Sequence, residues 1–543
     1  MKAIIKKLSF LSFSALMLVS CDLERFPLTS FNESTFFDSE QNAKLALIGL
    51  YRGNMTYGVE YAASDWWGYS ANVLLDGVTD MGYDRRGFNN NIGKLTSGQI
   101  NDTNGMIADL YNKPYNRISA CTRFIEAINA KGNANAAIER MKAEARFIRA
   151  VQYFYLASYY QDVPLIKTVL TLEESNSVKK SPRAEIIKFT IDELTEVAKV
   201  LPRHKDLPNT ERGRATVQAA LVYLARTHLM NKDYRAASAA CKQIIDWQDN
   251  RLAENYQKLF YPSSMNSSEL IFATQFIDNL AGTGLPQHAW PVKDGGWCLV
   301  CPTATLFEAY DFLDGTPFSY DDARYNRNNF GANRDPRLDY TLIYNGSTFR
   351  GTTYNCSPES NSLDKIGAGQ VTQTGYLLRK FFDESWSGNI NSYGNAFPLA
   401  RYADVLMMYL EAEMMSGTVV TQTMLDETIN AVRARVGMPR VTETNPERLL
   451  KIIQKERMVE FAFEGLRLWD LFRWGIAKER LNMDIYGSPF YLKNPNLIQK
   501  KGGSSGVLDP YFRWYVNKRS FQEGQERWPI PLSEQNINPN LRN

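Results

Sequence analysis

The sequence predicts a mostly α protein in which paired helices form a scaffold and one long segment is rich in loops. Apolar residues recur at three- and four-residue spacing through most of 41–260 and again through 397–480, as in amphipathic helices. Between about 261 and 396, Gly, Asn, Asp, Ser and Pro cluster and helical spacing is almost lost. We therefore expect residues 21–543 to form a single domain, with 261–396 as a ligand-binding lobe on a helical scaffold.

The first twenty residues have the pattern of a secretory signal peptide. Three lysines precede an apolar run from Leu8 to Val19, which is shorter than the roughly 20 apolar residues of a transmembrane helix. The run ends at Cys21 in a way that resembles the lipobox of bacterial lipoproteins, whose cysteine carries acyl chains such as palmitate. We expect residues 1–20 to be removed and Cys21 to be the lipid anchor. A plain signal peptide followed by a chance cysteine is the alternative.

Charge and metal-ligand content argue against two other classes of function. Without residues 1–20, which carry three lysines and no acid, Lys+Arg and Asp+Glu balance at 59 each. This balance provides no electrostatic basis for binding nucleic acid. Only three histidines are present, and Cys298 and Cys301 form a lone C-x-x-C without a second ligand pair. We expect no metal and no cofactor. The sequence does not decide whether Cys298 and Cys301 form a disulfide.

One segment, 214–247, has the pattern of two closely packed helices. Small and apolar residues share one face of each helix, and a turn at 231–233 separates the two. The pattern resembles a tetratricopeptide unit, and such pairs must stack on neighbours to bury their faces. An ordinary helical bundle is the alternative. A second candidate pair spans 400–415 and 424–436, and further helical spacing occurs at 42–52, 112–130, 136–160, 184–201 and 303–312.

Four separated stretches resemble sequence elements of the SusD/RagB family. The first is AEARFIRA at 143–150, followed by Tyr and Phe residues and by Val163–Pro164, although Gln161–Asp162 stands where the family often has glycine. The others are PLARYADVL at 398–406, the segment from ERMVEF to LFRW at 456–474, and PIP with NPNL at 529–541. These elements follow the family order over nearly the whole chain.

The resemblance implies a fold and a role. Members have a mostly helical SusD-like fold on a tetratricopeptide-like scaffold. They are lipid-anchored at the outer surface of the outer membrane and form a lid on a SusC-like, TonB-dependent transporter. The chain would then bind an oligosaccharide or polysaccharide and deliver it to that transporter without catalysis. Uptake of peptide by a lid of the same family is an alternative.

Aromatic residues in the loop-rich regions are the candidate glycan-binding residues. A sugar ring has an apolar C–H face that packs on a flat aromatic ring, while its hydroxyl groups need polar partners nearby. On a strand, adjacent Trp66 and Trp67 cannot both point inward, so at least one is expected to be exposed. Burial in the core is the alternative for each candidate. The candidates are Trp66, Trp67, Tyr69, Tyr83, Trp290 and Trp297.

Charged residues on the later helices favour structure over catalysis. Glu456, Glu460 and Glu464 follow one another at four-residue spacing. Arginines lie within reach of them along the sequence, and Arg401 lies with Asp404 on another predicted helix; the nearby arginines are Arg457, Arg467 and Arg473. Ion pairs keep carboxylates charged, which suits a structural network and not a general acid. A surface glycosidase would need two convergent carboxylates. Its candidates would be Asp311, Asp314, Asp321 and Asp322.

Overall fold

The structure, a computed structural model, describes residues 36–53, 65–132 and 135–542. The predicted signal peptide at 1–20 and the predicted anchor Cys21 lie outside these residues. Within the described ranges, no helix has the length and apolar character needed to cross a membrane. Helices predominate, as the sequence predicts.

Among the described residues, nine helices precede the loop-rich segment, and the others lie within it or after it. The nine are α1 Glu40–Arg52, α2 Tyr69–Gly77, α3 Asn91–Thr96, α4 Gly105–Lys131, α5 Ala136–Tyr159, α6 Leu172–Ser175, α7 Arg183–Val197, α8 Val217–Met230 and α9 Tyr234–Trp247. Ten more follow in the described chain: α10 Leu285–Ala289, α11 Ala304–Ala309, α12 Arg337–Thr341, α13 Tyr402–Met415, α14 Gln422–Glu427, α15 Ile429–Ala434, α16 Pro446–Glu460, α17 Arg467–Arg473, α18 Ala477–Arg480 and α19 Leu532–Ile537.

The long helices pack on one another largely in chain order. Helix α4 packs on α5, α5 on α7, α7 on α8, α8 on α9, and α9 on α13. The predicted pair at 214–247 is confirmed as α8 and α9. Ala225, Ala237 and Cys241 are fully buried, and their small side chains let the helix backbones approach closely. The mostly α fold with tetratricopeptide-like pairs is therefore confirmed.

Two of the predicted helices differ from expectation. The segment predicted as one helix at 424–436 is divided into α14 and α15 at Thr428, whose φ of −122° and ψ of −100° are not helical. Helix α4 begins at Gly105 and continues through Pro114. Proline lacks an N–H, so the carbonyl four residues earlier, that of Leu110, loses its helical hydrogen-bond donor.

Ten short strands pair into five two-stranded antiparallel sheets in the described chain. They are β1 Gly82–Asp84, β2 Leu270–Gln275, β3 Val300–Pro302, β4 Leu342–Ile343, β5 Thr348–Phe349, β6 Thr352–Thr353, β7 Leu377–Leu378, β8 Ala396–Arg401, β9 Asp484–Pro489 and β10 Arg513–Lys518. Because β2 pairs with β8, the segment 276–395 leaves and rejoins the scaffold at one place. The assignment of 261–396 as a separate lobe stays a prediction.

A buried set of five cations and five carboxylates, here called the central ion network, lies where this segment meets the scaffold. Arg401 at the end of β8 donates to Glu460 at 2.6 Å, to Glu464 at 2.7 Å and to Glu269 at 2.8 Å. Arg337, from the loop-rich segment, also binds Glu460, at 3.1 Å. The network consists of Arg337, Lys380, Arg401, Arg433, Arg435, Glu269, Asp335, Glu456, Glu460 and Glu464.

A second buried ionic group joins three helices beside this network. Asp404 of α13 accepts from Arg226 of α8 at 2.8 Å and from Arg457 of α16 at 2.7 Å. Burial alone would raise the pKa of Asp404, but the two guanidinium groups outweigh it and lower the pKa to about 2. The prediction of a structural ion-pair network is confirmed, but the expected pairing of its glutamates with Arg457, Arg467 and Arg473 is wrong, because these arginines pair with other acids. The partners of the glutamates come largely from distant parts of the chain: Glu456, for example, pairs with Arg337 and Arg433.

Glu460→Gln should lower the free energy of unfolding by about 3–5 kcal/mol. It would remove the carboxylate that Arg401, Arg337 and Arg435 share and leave the buried network with one positive charge in excess. Urea unfolding followed by tryptophan fluorescence measures the change. The matched control is Glu443→Gln, which removes a surface pair with Arg448 and should cost no more than about 1 kcal/mol. Equal effects of both substitutions would contradict a structural role for the network.

The unfolding free energy should also fall as the pH falls from about 4 to 2. The folded pKa of Asp404 lies below its value in the unfolded chain. The stability that it contributes is therefore present above pH 4 and is lost as the pH approaches 2. The shift corresponds to about 2 kcal/mol for this one group. Urea unfolding at several pH values in this range measures how the free energy of unfolding depends on pH. This dependence should be weaker for Asp404→Asn than for the unaltered chain, and an equal dependence would contradict the assignment.

Candidate functional site

The structure places Trp66 and Trp67 in the core, so the expectation that at least one is exposed is wrong. They are 2% and 1% exposed. The Trp66 ring stacks on Tyr155 with a centroid distance of 4.7 Å, and its Nε1 donates to the Leu110 carbonyl at 3.0 Å. This is the carbonyl that Pro114 deprives of a donor. The two tryptophans lie in a turn before α2 and not on a strand, which is why both can point inward.

Three further candidates are buried as well. The hydroxyl group of Tyr69 is 3.3 Å from His288 Nδ1, Tyr83 lies in β1 opposite Cys301, and the Trp290 ring carries the Arg350 guanidinium 4.5 Å above it. All three are no more than 5% exposed. Like Trp66 and Trp67, they present no ring face at the surface. The prediction that these five residues stack on glycan is wrong, because a buried ring cannot contact a sugar.

Trp297 is the one predicted candidate that is partly exposed. Its ring stacks on His288 with a centroid distance of 5.7 Å, and its backbone N–H donates to the Gln287 carbonyl at 2.7 Å. Its role in binding glycan stays a prediction.

A larger group of partly exposed aromatic rings lies on the β9–β10 hairpin and the loop that joins its strands. We call it the tyrosine belt, and it consists of Tyr486, Tyr491, Tyr511, Phe512 and Tyr515. Tyr486 and Tyr515 are paired across the two strands, with their ring centroids 5.6 Å apart and the rings near perpendicular at 73°. Tyr491 and Phe512 are 5.6 Å apart at 61°. The belt therefore presents several ring faces and edges within one surface.

Strand alternation explains why these rings face outward. On β9, Ile485 is buried and its neighbour Tyr486 is partly exposed. On β10, Trp514 is buried at 7% exposure while Tyr515 is partly exposed. Successive side chains on a strand point to opposite faces, so each strand contributes one apolar residue to the core and one tyrosine to the surface.

Arg513 lies at the centre of the belt and is held in place by two carboxylates. Its guanidinium carbon is 4.4 Å from the Tyr486 ring centroid and 5.8 Å from that of Tyr511. It donates to Asp509 through Nε at 3.1 Å and Nη2 at 2.9 Å, and through Nη1 to Glu308 at 2.9 Å. This bidentate geometry fixes the plane of the guanidinium group and, through it, the rings that it contacts.

The hydroxyl groups of the belt are also oriented. Tyr511 donates to Asp321 Oδ2 at 2.8 Å, and this hydrogen bond raises the pKa of the Tyr511 hydroxyl group. Tyr491 donates to the Tyr325 hydroxyl group at 3.3 Å and carries the Arg327 guanidinium 4.7 Å above its ring. The belt hydroxyl groups therefore remain protonated donors near neutral pH.

Aromatic rings of the loop-rich segment, one buried and one partly buried, pack beneath the belt. Tyr320 stacks under Tyr511 with a centroid distance of 4.8 Å at 23° and packs edge-on against Phe318 at 4.8 Å. Arg334 lies 3.7 Å from the Phe318 ring centroid and donates to the carbonyl oxygen of Tyr310 at 2.6 Å. The belt is thus continuous with a rigid aromatic layer.

The four carboxylates that would serve a glycosidase each form an ion pair or a hydrogen bond with another side chain. Asp314 and Asp322 both pair with Arg324, at 2.5 Å and 2.7 Å, and hydrogen bonds lower the pKa of each. Asp311 is paired with Lys455 at 2.5 Å. Asp321 accepts from Tyr511, as described above.

In the described part of the chain, no group of three or more His, Cys, Asp or Glu side chains is placed to hold a metal ion. Cys298 and Cys301 are both free and buried. Cys301 Sγ donates to the Cys298 carbonyl at 3.3 Å and Cys298 Sγ to the Trp290 carbonyl at 3.4 Å, so both thiols have hydrogen-bond acceptors.

Sequence reasoning missed the belt because it favoured tryptophans in irregular segments. The signal that was present is weaker: two six-residue segments, DIYGSP and RWYVNK, each place a tyrosine next to an apolar residue and between charged or polar ones. Such alternation is typical of half-buried strands. Their pairing across more than twenty intervening residues cannot be read from composition.

Two family models match the chain. One, described as the SusD family, matches residues 250–543. The other, described as starch-binding associating with outer membrane, matches residues 67–229. The first covers more than half of the chain, so the chain belongs to the SusD family, as the sequence motifs indicate.

Individual relatives agree with this assignment. The crystal structure of a SusD-like carbohydrate-binding protein from Bacteroides fragilis is similar at 47% identity and a TM-score of 0.90, covering 94% of this chain and 100% of that one. SusD-like protein P25 of Formosa agariphila is 24% identical over 98% of this chain and 96% of its own length. The starch-binding protein SusD of Bacteroides thetaiotaomicron is 22% identical over 76% of this chain and 73% of its own.

Trp66→Ala should lower the free energy of unfolding by about 3–5 kcal/mol, because it removes a buried ring and the hydrogen bond to the Leu110 carbonyl. Trp297→Ala, at a partly exposed position, is the control and should cost clearly less. Urea unfolding of the two variants measures the difference. A Trp66→Ala variant as stable as the unaltered chain would contradict the buried position.

Proposed function

We propose that the chain captures glycan at the cell surface by stacking sugar rings on the tyrosine belt. The observation that carries this proposal is the group of five partly exposed aromatic rings of the belt, two of which contact Arg513. A pyranose packs its C–H face on an aromatic ring, and tyrosine adds a hydroxyl group that can bind the polar rim of the sugar. The belt supplies both kinds of contact within one surface.

The fixed geometry of the belt suits capture without chemistry. Asp509 and Glu308 hold Arg513, and Asp321 orients the Tyr511 hydroxyl group, so little side-chain entropy is lost when a ligand binds. Ion pairs keep Asp314 and Asp322 charged, which favours binding over general-acid catalysis. The proposed role is therefore that of a binding protein and not of an enzyme.

Relatives support the ligand class. A protein 47% identical to this chain is described as carbohydrate-binding, and another relative is described as starch-binding. Structures similar in fold include a surface glycan-binding protein of Bacteroides thetaiotaomicron in complex with laminarihexaose, at 19% identity and a TM-score of 0.67. These descriptions favour an oligosaccharide or polysaccharide, and they do not select one.

The proposal includes the place of the chain in the cell. A lipid on Cys21 would anchor it in the outer membrane, facing outward, where it acts as the lid of a SusC-like, TonB-dependent transporter and delivers bound glycan. The signal-peptide pattern, the family membership and the matched family description of association with the outer membrane support this place.

Replacing the cross-strand tyrosine pair tests the proposal. Tyr486→Ala and Tyr515→Ala should each weaken binding of the captured glycan by about tenfold or more, since a stacked ring at the centre of a site carries much of the binding energy. Isothermal titration against plant, host and microbial glycans measures the affinity, and an assay for released sugar should stay blank.

The matched control is Tyr409→Ala, which removes a partly exposed tyrosine from α13 of the scaffold. It should bind as the unaltered chain does. If Trp297→Ala lost binding while Tyr486→Ala and Tyr515→Ala kept the affinity of the unaltered chain, the glycan site would lie at Trp297 and not at the belt. Binding of peptides alone would favour the peptide-uptake role, and released sugar would favour a glycosidase.

A further inference from the structure

A polar cavity of about 510 Å³ lies at the end of the loop that runs from the tyrosine belt. The loop begins at Tyr325, which contacts Tyr491 of the belt. It then passes through Arg327, whose guanidinium lies over the same Tyr491 ring, and reaches Asn328 and Asn329, which line the cavity. The belt and the cavity are thus joined by five consecutive residues. The volume lies in the range of about 300–1,000 Å³ that is typical of small-molecule sites.

Side chains with unused hydrogen-bonding groups line this cavity. Within the described residues, the side-chain amides of Gln257, Asn328 and Asn329 and the Tyr340 hydroxyl group take part in no hydrogen bond. Each amide offers two donors and one acceptor with two lone pairs. Other asparagines of the same loop are engaged: Asn326, for example, accepts the backbone N–H of Asn328 at 2.9 Å. Asn328 and Asn329 are exposed and Gln257 is partly exposed, so their amides are open to a ligand in the cavity.

The charged residues that line the cavity indicate which class of ligand it favours. Arg379 donates to Glu384 at 2.6 Å and to the Thr348 carbonyl at 2.7 Å, so its charge is compensated. Asp339 accepts the Tyr344 hydroxyl group and forms no ion pair among the described residues. One uncompensated carboxylate remains, and it can accept hydrogen bonds from hydroxyl groups but repels anions. The lining suits a neutral polyol and disfavours a uronate or sulfate.

The cavity walls are well fixed. Tyr344, which holds Asp339, packs against Phe330 with a centroid distance of 5.7 Å, and Phe330 stacks on Tyr325 at 6.0 Å. Gly331 lies so close to the Tyr344 hydroxyl group and to Asp339 that a Cβ atom there would clash at about 2.4–2.7 Å. The same aromatic layer that supports the belt therefore also holds the acidic wall of the cavity.

We propose that this cavity is a second subsite of the glycan site, which takes an uncharged sugar unit of a chain whose neighbouring units stack on the tyrosine belt. The inference rests on the proposed glycan capture and adds the ligand class to it: a neutral glycan, selected over acidic ones. Amides and Asp339 bind the hydroxyl groups of the sugar in the cavity. Because both subsites engage one chain, affinity rises steeply with chain length.

The test is isothermal titration of the purified protein with neutral hexasaccharides from glucans, mannans, xylans and galactans. The double variant Asn328→Ala/Asn329→Ala should bind the preferred hexasaccharide about tenfold more weakly, as expected for two lost hydrogen-bonding groups. The matched control is Asn361→Ala, at an exposed asparagine of the same segment that does not line the cavity. It should bind as the unaltered chain does.

The outcomes separate this inference from the proposal on which it rests. Equal affinity of the double variant and the unaltered chain, with binding lost in Tyr486→Ala, would overturn the cavity subsite and leave glycan capture intact. Absence of binding to every hexasaccharide would overturn both. A hexagalacturonate that binds more tightly than every neutral probe would overturn the assignment of ligand charge. The expected result is weaker binding of hexagalacturonate, with the difference reduced in Asp339→Asn.

Discussion

The central ion network is the interaction on which the arrangement of this protein depends. Its charges are buried, balanced and contributed by separate parts of the chain. Arg337 and Lys380 of the loop-rich segment reach the glutamates of the scaffold only when the segment and the helices are correctly joined. Arg337 and Asp335 of the network lie next to Arg334, which holds the rings beneath the tyrosine belt. The charged junction thereby fixes the position of a segment whose other face supports the candidate binding surface.

The belt itself follows from ordinary strand geometry combined with that support. Alternation along β9 and β10 turns one face of the hairpin inward and leaves Tyr486 and Tyr515 at the surface. Arg513 links Tyr486 of the hairpin face with Tyr511, and its carboxylate partners keep it from turning away. A site built in this way is organised before the ligand arrives, which reduces the entropy lost on binding.

The sequence predicted the fold much better than it predicted the site. Helical spacing and family motifs identify the long helices and the α8–α9 pair, because these depend on residues close together in the chain. Burial of an aromatic ring depends instead on distant partners. Trp66 is buried because Tyr155 stacks on it and because Pro114 leaves the Leu110 carbonyl without a donor. Tyr486 and Tyr515 meet only through a pairing of β9 with β10 that no local pattern reveals.

A crystal structure of the protein with the bound neutral oligosaccharide is the most direct test of the account. We expect sugar rings against Tyr486, Tyr515 and Tyr511, with polar contacts to Arg513. An oligosaccharide bound at Trp297, or on a scaffold face away from the β9–β10 hairpin, would contradict the belt as the site of capture.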